Sequence, residues 1–186
     1  MYGPAIQEQA PVQQANKMAW FDTVVVPHMR AAYNLARWLT GNDSDAEDVV
    51  QEAYLRAFRF SDTYRGGDGR AWLLAIVRNT CYTWMEQNRK PSLMLPDDMA
   101  EVDDSRSNPE TVLLRSIDSG LLRSAIEALP PEFREAIVLR ELEGLSYKEM
   151  SAVTAVPLGT VMSRLARART RLLKALAGQV NQGGAA

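Results

Sequence analysis

The chain has 186 residues, 46% hydrophobic and 24% charged, with a net charge of −2, which is the composition of a globular protein able to bury one real core or two small ones. One cysteine, Cys81, excludes an internal disulfide and a cysteine-based zinc site, and the lone histidine, His28, has no GxSxG motif with which to build a Ser-His-Asp triad. No apolar run reaches membrane-spanning length and the N-terminus lacks a signal-peptide pattern, so a cytoplasmic protein without membrane insertion is expected.

Residues 1–17 are rich in Gln, Ala and Pro without periodicity, the composition of a disordered end. Helical periodicity begins near Met18, breaks at Pro27, and resumes with Ala32, Leu35, Ala36 and Leu39 until Thr40, Gly41 and Asn42 stop it. In the next helix Ala46, Val49, Val50, Ala53, Tyr54, Ala57 and Phe58 follow the i, i+3, i+4, i+7 rule. Asp45, Asp48 and Glu52 lie on another face, with Gln51 beside them. Acids in a first turn complement the helix dipole, but Gln51 and Glu52 stand too deep for that account. Such a stripe suits docking on a basic partner surface.

The glycine-rich connection 61–70 lacks the lysine of a phosphate-binding loop and follows no strand, which argues against nucleotide binding. The helix after it is apolar on most sides in its first half, where Trp72 reads as a core aromatic. Its second half carries Arg78, Tyr82, Glu86 and Arg89 along one side, with Trp84 nearby. Basic and aromatic residues interleaved beside a loop suit single-stranded or melted nucleic acid, whose bases stack on rings. Residues 91–110 then break the helical pattern with three prolines and a cluster of acids, as an interdomain linker does.

Beyond the linker, a helix is expected from Pro109 and Glu110 through Leu113, Leu114, Ile117, Leu121, Leu122 and Ile126 to Leu129. After Pro130 and Pro131, the stripe Phe133, Ile137, Val138 and Leu142 runs to a stop at Gly144. Ser146 and Glu149 then form a capping box, opening a short helix with Met150 and Val153 inside. Pro157 is placed in the first turn of a second helix, where a missing N–H costs nothing. That helix has Leu158, Val161, Leu165, Ala168 and Leu172 as its apolar stripe and Thr160, Ser163, Arg164, Arg167, Arg171 and Lys174 opposite. Five basic residues and no acid lie between Pro157 and Lys174. Two helices joined by a tight turn, the second basic on one face, describe a DNA-binding helix-turn-helix. Local charge supports this: residues 121–186 carry +3, although the acids of 91–120 hide it in the total.

The expected fold is all-α: two small helical domains joined by an acidic flexible linker, the C-terminal one containing the helix-turn-helix. The boundaries are 1–17 disordered, 18–90 first domain, 91–110 linker, 111–177 second domain and 178–186 disordered tail. A stand-alone helix-turn-helix regulator would also fit the second domain, but would dimerise on a two-fold site and leave the first domain without a role. An enzyme acting on nucleic acid would need a metal or acid–base constellation that the chain does not offer.

Three stretches in order around a linker, residues 39–60, 64–90 and 129–176, resemble the extracytoplasmic-function group of the sigma-70 family, the small promoter-specificity subunits of bacterial RNA polymerase. The resemblance covers roughly residues 18–176. It implies that Asp48, Gln51 and Glu52 contact the clamp of the polymerase largest subunit, with the flap as a further docking point. It implies that the loop around residues 61–69, including Arg65, accepts a base flipped from the minus-ten element, beside Arg78, Asn79 and Tyr82. It assigns Thr160, Ser163, Arg164, Arg167 and Arg171 to the minus-thirty-five element. It implies an anti-sigma factor as partner and no cofactor, metal, small-molecule substrate or catalytic residue. Met162 departs from the arginine that many relatives carry. A charge and a bidentate donor are lost there, leaving at most an apolar contact such as one to a thymine methyl.

Overall fold

Residues 9–88 and 119–183 are described by the computed structural model, and among them every regular element is helical. Helix α1 (Gln9–Val24) starts well ahead of Met18, so helix covers part of the end expected to be irregular. Pro27 sits in a 3-10 turn, Val26–His28, that redirects the chain into α2 (Met29–Thr40). Gly41, at φ +91°, closes α2 in the left-handed conformation that a side chain resists, and its N–H bonds Arg37 O at 3.1 Å. One residue on, Asn42 caps α3 (Asp43–Arg59) by accepting from Asp45 N at 2.9 Å.

Helix α4 (Gly69–Gln87) opens on Asp68, which accepts from the N–H groups of Arg70 and Ala71. A Cβ on Gly69 would stand 2.8 Å from Val24 Cγ1 and 3.0 Å from Val24 O, so the start of α4 packs flush on the end of α1 only with glycine there. Helices α2, α3 and α4 bury Ala32, Leu35, Ala36, Val49, Ala53, Ala57, Leu73, Leu74, Val77 and Cys81. The alanines let these helices approach closely around the leucines.

In the second half, α5 (Ser119–Glu127) leads through Pro130 to α6 (Pro131–Ile137). The expected single helix over the following residues widens into a π turn, Val138–Leu142, where Glu143 N bonds Val138 O at 2.9 Å. The extra residue shifts the register. Val138 and Leu139 are buried, and Leu142, expected inside, is 49% exposed. Helices α7 (Tyr147–Thr154) and α8 (Leu158–Gly183) complete the fold, and α8 continues into the segment expected to be an irregular tail. The linker 91–110 and the expected helix through Leu113, Leu114 and Ile117 lie outside the described residues.

The two halves share one contiguous core cluster: α2 packs on α6, and α4 packs on α7.

Candidate polymerase and nucleic-acid interfaces

On α3, burial of Ala46, Val49, Val50, Ala53 and Ala57 leaves the opposite face outward. Asp48 and Gln51 are exposed, and Glu52 is half-buried and paired with Arg56 at 2.8 Å, an i,i+4 pair of small energetic weight. The first-turn acids differ: Asp43 accepts from Arg37 at 2.6 Å and from Tyr33 at 3.1 Å, and the Arg37 bond holds its carboxyl below the usual range. Leu55 continues the outward face one turn beyond Gln51 and is 54% exposed. The sequence reading passed over it, although its absence from the i, i+3, i+4 stripe already placed a large apolar residue among polar neighbours.

The connection after α3 opens with a 3-10 turn, Ser61–Thr63, and is braced beyond it by aromatic rings. Trp20, Tyr64 and Trp72 form a triangle with centroid separations of 5.5 to 5.8 Å, all tilted or edge-on. Tyr64 also donates from its hydroxyl to Gly67 O at 2.7 Å. Gly66 and Gly67 take φ of +84° and +96°, which makes the tip of the loop a glycine turn. Arg65 is exposed on that loop. Trp72 is therefore part of the packing, as its sequence position suggested.

Arg78 and Tyr82, one turn apart on α4, both turn towards the second half of the chain. Arg78 Nε donates to Glu135 Oε1 at 2.6 Å, and Tyr82 Oη donates to Glu135 Oε2 at 3.4 Å. The Arg78 guanidinium lies 4.3 Å from the Tyr82 ring centre and also donates to Asn79 Oδ1 at 3.2 Å. Asn79 itself is exposed. Glu135 is 1% exposed, and burial pushes its carboxyl above the ordinary range against the opposing charges of Arg78 and Arg164. Burial, with Glu135 nearby, likewise raises the Cys81 thiol to about 12, leaving it protonated and inert.

Two further contacts tie the halves together. Arg70 donates to Glu143 Oε2 at 2.6 Å and to Glu143 O at 2.7 Å, and Asn34 donates to Glu143 Oε1 at 3.2 Å. Arg134 donates to Trp38 O and Leu129 O, each at 3.0 Å, and to Glu127 O.

The helix-turn-helix has the expected cap: Ser146 Oγ accepts from Glu149 N at 3.3 Å, and Glu149 Oε2 accepts from Ser146 N at 2.6 Å. The turn is made by Ala155 at φ +56°, a left-handed position usually given to glycine, and Ser151 Oγ donates to Val156 O at 2.6 Å. Pro157 stands just ahead of α8, and its carbonyl accepts from Val161 N at 3.1 Å. Val161, Leu165 and Ala168 are buried as expected, whereas Leu158, counted with them from its spacing, is 45% exposed.

On the outer side of α8, Arg167 is exposed and Thr160 and Arg164 are half-buried. Ser163 Oγ donates within the helix to Thr160 O at 3.0 Å. Arg171 lies over the Phe133 ring at 4.7 Å, and Arg169 pairs with Glu141 at 2.6 Å. Thus Thr160, Ser163, Arg164, Arg167 and Arg171 share one helix, Asp48, Gln51 and Glu52 share another, and Arg78, Asn79 and Tyr82 cluster on a third. Arg65 is separate, on the loop. Among the described residues no group of three or more His, Cys, Asp or Glu side chains could hold a metal ion, and no helix is long and apolar enough to cross a membrane.

Comparison with known proteins follows this division of the chain. The family model described as Sigma-70 region 2 matches residues 24–90, and that described as Sigma-70, region 4 matches residues 119–172. The chain belongs to the sigma-70 family, in its extracytoplasmic-function (ECF) group. It is similar to the ECF RNA polymerase sigma factor SigE of Mycolicibacterium smegmatis, with 39% identity over 88% of this chain and 64% of that one, and so spans just under two thirds of that relative. It is 36% identical to the ECF RNA polymerase sigma-E factor of Escherichia coli K12, over 85% of this chain and 86% of the other. Among solved structures it resembles the sigma factor RpoE of Bartonella quintana in complex with the anti-sigma factor NepR (TM-score 0.63, 28% identity, covering 84% of this chain and 96% of that one). It also resembles CnrH in complex with the cytosolic domain of CnrY (TM-score 0.58, 25% identity, covering 85% and 88%).

Proposed function

We propose that this protein binds core RNA polymerase in the bacterial cytoplasm and directs it to a set of promoters through minus-ten and minus-thirty-five elements, without catalysing a reaction itself. The observation that carries the reading is the order of the two family regions, region 2 on the half that holds Arg78 and Tyr82 and region 4 on the half that holds basic α8. In this account Asp48, Gln51 and Glu52 meet the polymerase clamp, and the second domain reaches the flap. Arg65, Arg78, Asn79 and Tyr82 serve the melted minus-ten strand, where stacking and hydrogen bonds must offset the few kcal/mol of unstacking a flipped base. Thr160, Ser163, Arg164, Arg167 and Arg171 meet the minus-thirty-five duplex, some at bases and some at phosphates. The functional units are residues 18–90 and 111–177, joined by the linker 91–110.

The packed arrangement sets an order of events. Arg78 and Tyr82 are turned onto Glu135, so a melted strand can take them only after those bonds are given up. The clasped form is the form free of promoter DNA, and separation of the halves precedes minus-ten capture. An anti-sigma factor is the expected antagonist, since the two solved structures described above are each in complex with a partner and one of these partners is named as such.

The test is a gel-shift series with purified bacterial core polymerase and promoter fragments from the source genome. Core alone should bind without sequence preference, and core with this protein should retain a defined subset of fragments. No change in preference on adding the protein would refute the proposal.

A further inference from the structure

Helix α1 lies almost wholly ahead of the residues matched by the region 2 family model, which begin at residue 24, and none of the roles assigned above falls on it. Its last two turns nonetheless reach the glycine-rich loop at three points. Lys17, Trp20 and Val24 stand at i, i+3 and i+7, which places them along one face. Lys17 Nζ pairs with Asp62 Oδ2 at 3.3 Å, at the start of the loop. Trp20 lies 5.8 Å from the Tyr64 ring in its middle, and Tyr64 in turn donates to Gly67 O. Val24 meets Gly69 at its end, where a Cβ would stand 2.8 Å from Val24 Cγ1. Phe21, the residue after Trp20, seats the helix itself on α3 through Tyr54 and Phe58, with ring centres 6.3 and 6.0 Å away.

Such a brace answers a physical need. Gly66 and Gly67 both take positive φ and both are exposed, so the tip has little of its own to hold it in one shape. Of the three contacts the ion pair weighs least, because Asp62 is 78% exposed and water screens it. The ring contact weighs most, since Trp20 meets both Tyr64 and Trp72, and Trp72 stands in the first turn of α4. Tyr64 is thereby trapped between a ring from α1 and a ring from α4, with its hydroxyl holding Gly67. Arg65 and the two glycines stand beyond the brace, exposed and open to a ligand.

We infer that α1 is a splint for this loop and that Trp20 is its positioning residue, so that preference for the flipped minus-ten base depends on a tryptophan that never meets the strand. This deepens the reading of residues 61–69 as the base-accepting loop, and rests on it. Trp20 sets the place of Tyr64, and Tyr64 holds Gly67 at the tip. A loop already in its bound shape loses less binding free energy to ordering. The stacking and hydrogen bonds made by the base then discriminate between bases instead of serving to order the loop.

The experiment uses the full chain with core polymerase and single-stranded oligonucleotides carrying the minus-ten element of a promoter it selects, each base replaced in turn. For the unaltered protein one position should show the strongest discrimination. Trp20→Leu, which keeps an apolar side chain but removes the ring, should lose roughly ten-fold of the discrimination at that position, as expected for two aromatic contacts. Affinity for core and preference at the minus-thirty-five element should be unchanged, and Trp20→Phe should restore most of what is lost. A role in packing alone would lower the melting temperature and weaken every oligonucleotide alike. Lys17→Asp and Asp62→Lys give a second arm at the surface: each should reduce the discrimination about three-fold, and the double variant should recover it. Should Trp20→Leu fail to fold, this charge swap decides. Discrimination that survives Trp20→Leu and the charge reversals, or a uniform weakening at all positions, would overturn the splint alone. An unaltered protein with no base preference anywhere in the minus-ten element would overturn the reading of the loop as well.

Discussion

Arg78 on α4 and Glu135 on α6 are 57 residues apart in sequence and 2.6 Å apart in space, and the carboxylate is all but excluded from solvent. A buried ion pair of this kind adds little stability compared with an apolar replacement of both partners, but breaking it from one side leaves an uncompensated charge. The pair joins the half of the chain assigned to the minus-ten element to the half assigned to the minus-thirty-five element.

Glu135→Ala should therefore loosen the packing of the halves, at a cost of about 3–5 kcal/mol if Arg78 stays buried and less if the halves part and solvate it. Small-angle scattering should show a larger radius of gyration. The free protein should bind melted minus-ten strand more tightly, because Arg78 and Tyr82 are released. An unchanged radius with unchanged strand affinity would show that the pair does not hold the halves together. Arg78→Ala should open the molecule in the same way and weaken strand binding, so the two variants separate opening from contact.

The outward face of α3 gives a prediction about the polymerase. Gln51→Ala combined with Glu52→Arg should weaken binding to core by about 2 kcal/mol, roughly thirty-fold, through lost complementarity with a basic surface. Leu55→Asp should do the same, since a half-exposed leucine amid polar residues is suited to be the apolar centre of that contact. All three positions are exposed or half-buried, so thermal midpoints should stay within a degree or two. Titration of labelled core by fluorescence anisotropy measures the effect, and unchanged affinity would remove the face from the interface.

Arg167 and Arg171 should behave differently although both lie on α8. Arg167 is exposed, and Arg167→Ala should cost about 1–3 kcal/mol at one base pair and relax the preference there. Arg171 rests over Phe133, and Arg171→Ala should weaken all sequences alike and lower the salt slope by about one. Affinities for single-base variants at several salt concentrations distinguish the two.

Acid should test the capping box. Hydrogen bonds from Ser146 hold the Glu149 carboxyl below its ordinary value of 4.5. A depressed carboxylate contributes stability that is present above the unfolded value and lost as pH falls through the folded one. Its share of the melting temperature should thus decline from about pH 4.5 downward, and Asp43, held low by Arg37, acts in the same direction. Ser146→Ala should cost about 1 kcal/mol at neutral pH and flatten that decline. Melts recorded across this range check both points.

Local patterns carried most of the fold. The cap at Ser146, the stop at Gly41 and the spacing of Leu35, Val49 and Leu165 depend on neighbours within two turns, and each stands where periodicity placed it. Two registers slipped for physical reasons. A π turn over Val138–Leu142 inserts a residue that no propensity announces and turns Leu142 outward. Leu158 is the opening residue of α8, so it has the spacing of an inner residue yet stays 45% exposed, while Val161 in the same turn is buried. Glu135 stands among apolar residues, and its sequence neighbourhood does not point to a partner across the linker. Only the folded chain brings Arg78 and Tyr82 to it.

Run-off transcription with purified bacterial core polymerase, over a fragment library of the source genome, tests the central claim most directly. Discrete transcripts that require this protein and start downstream of one shared pair of sequence elements are the predicted result. An absence of protein-dependent transcripts, from a preparation that binds specific duplex DNA without polymerase, would contradict it.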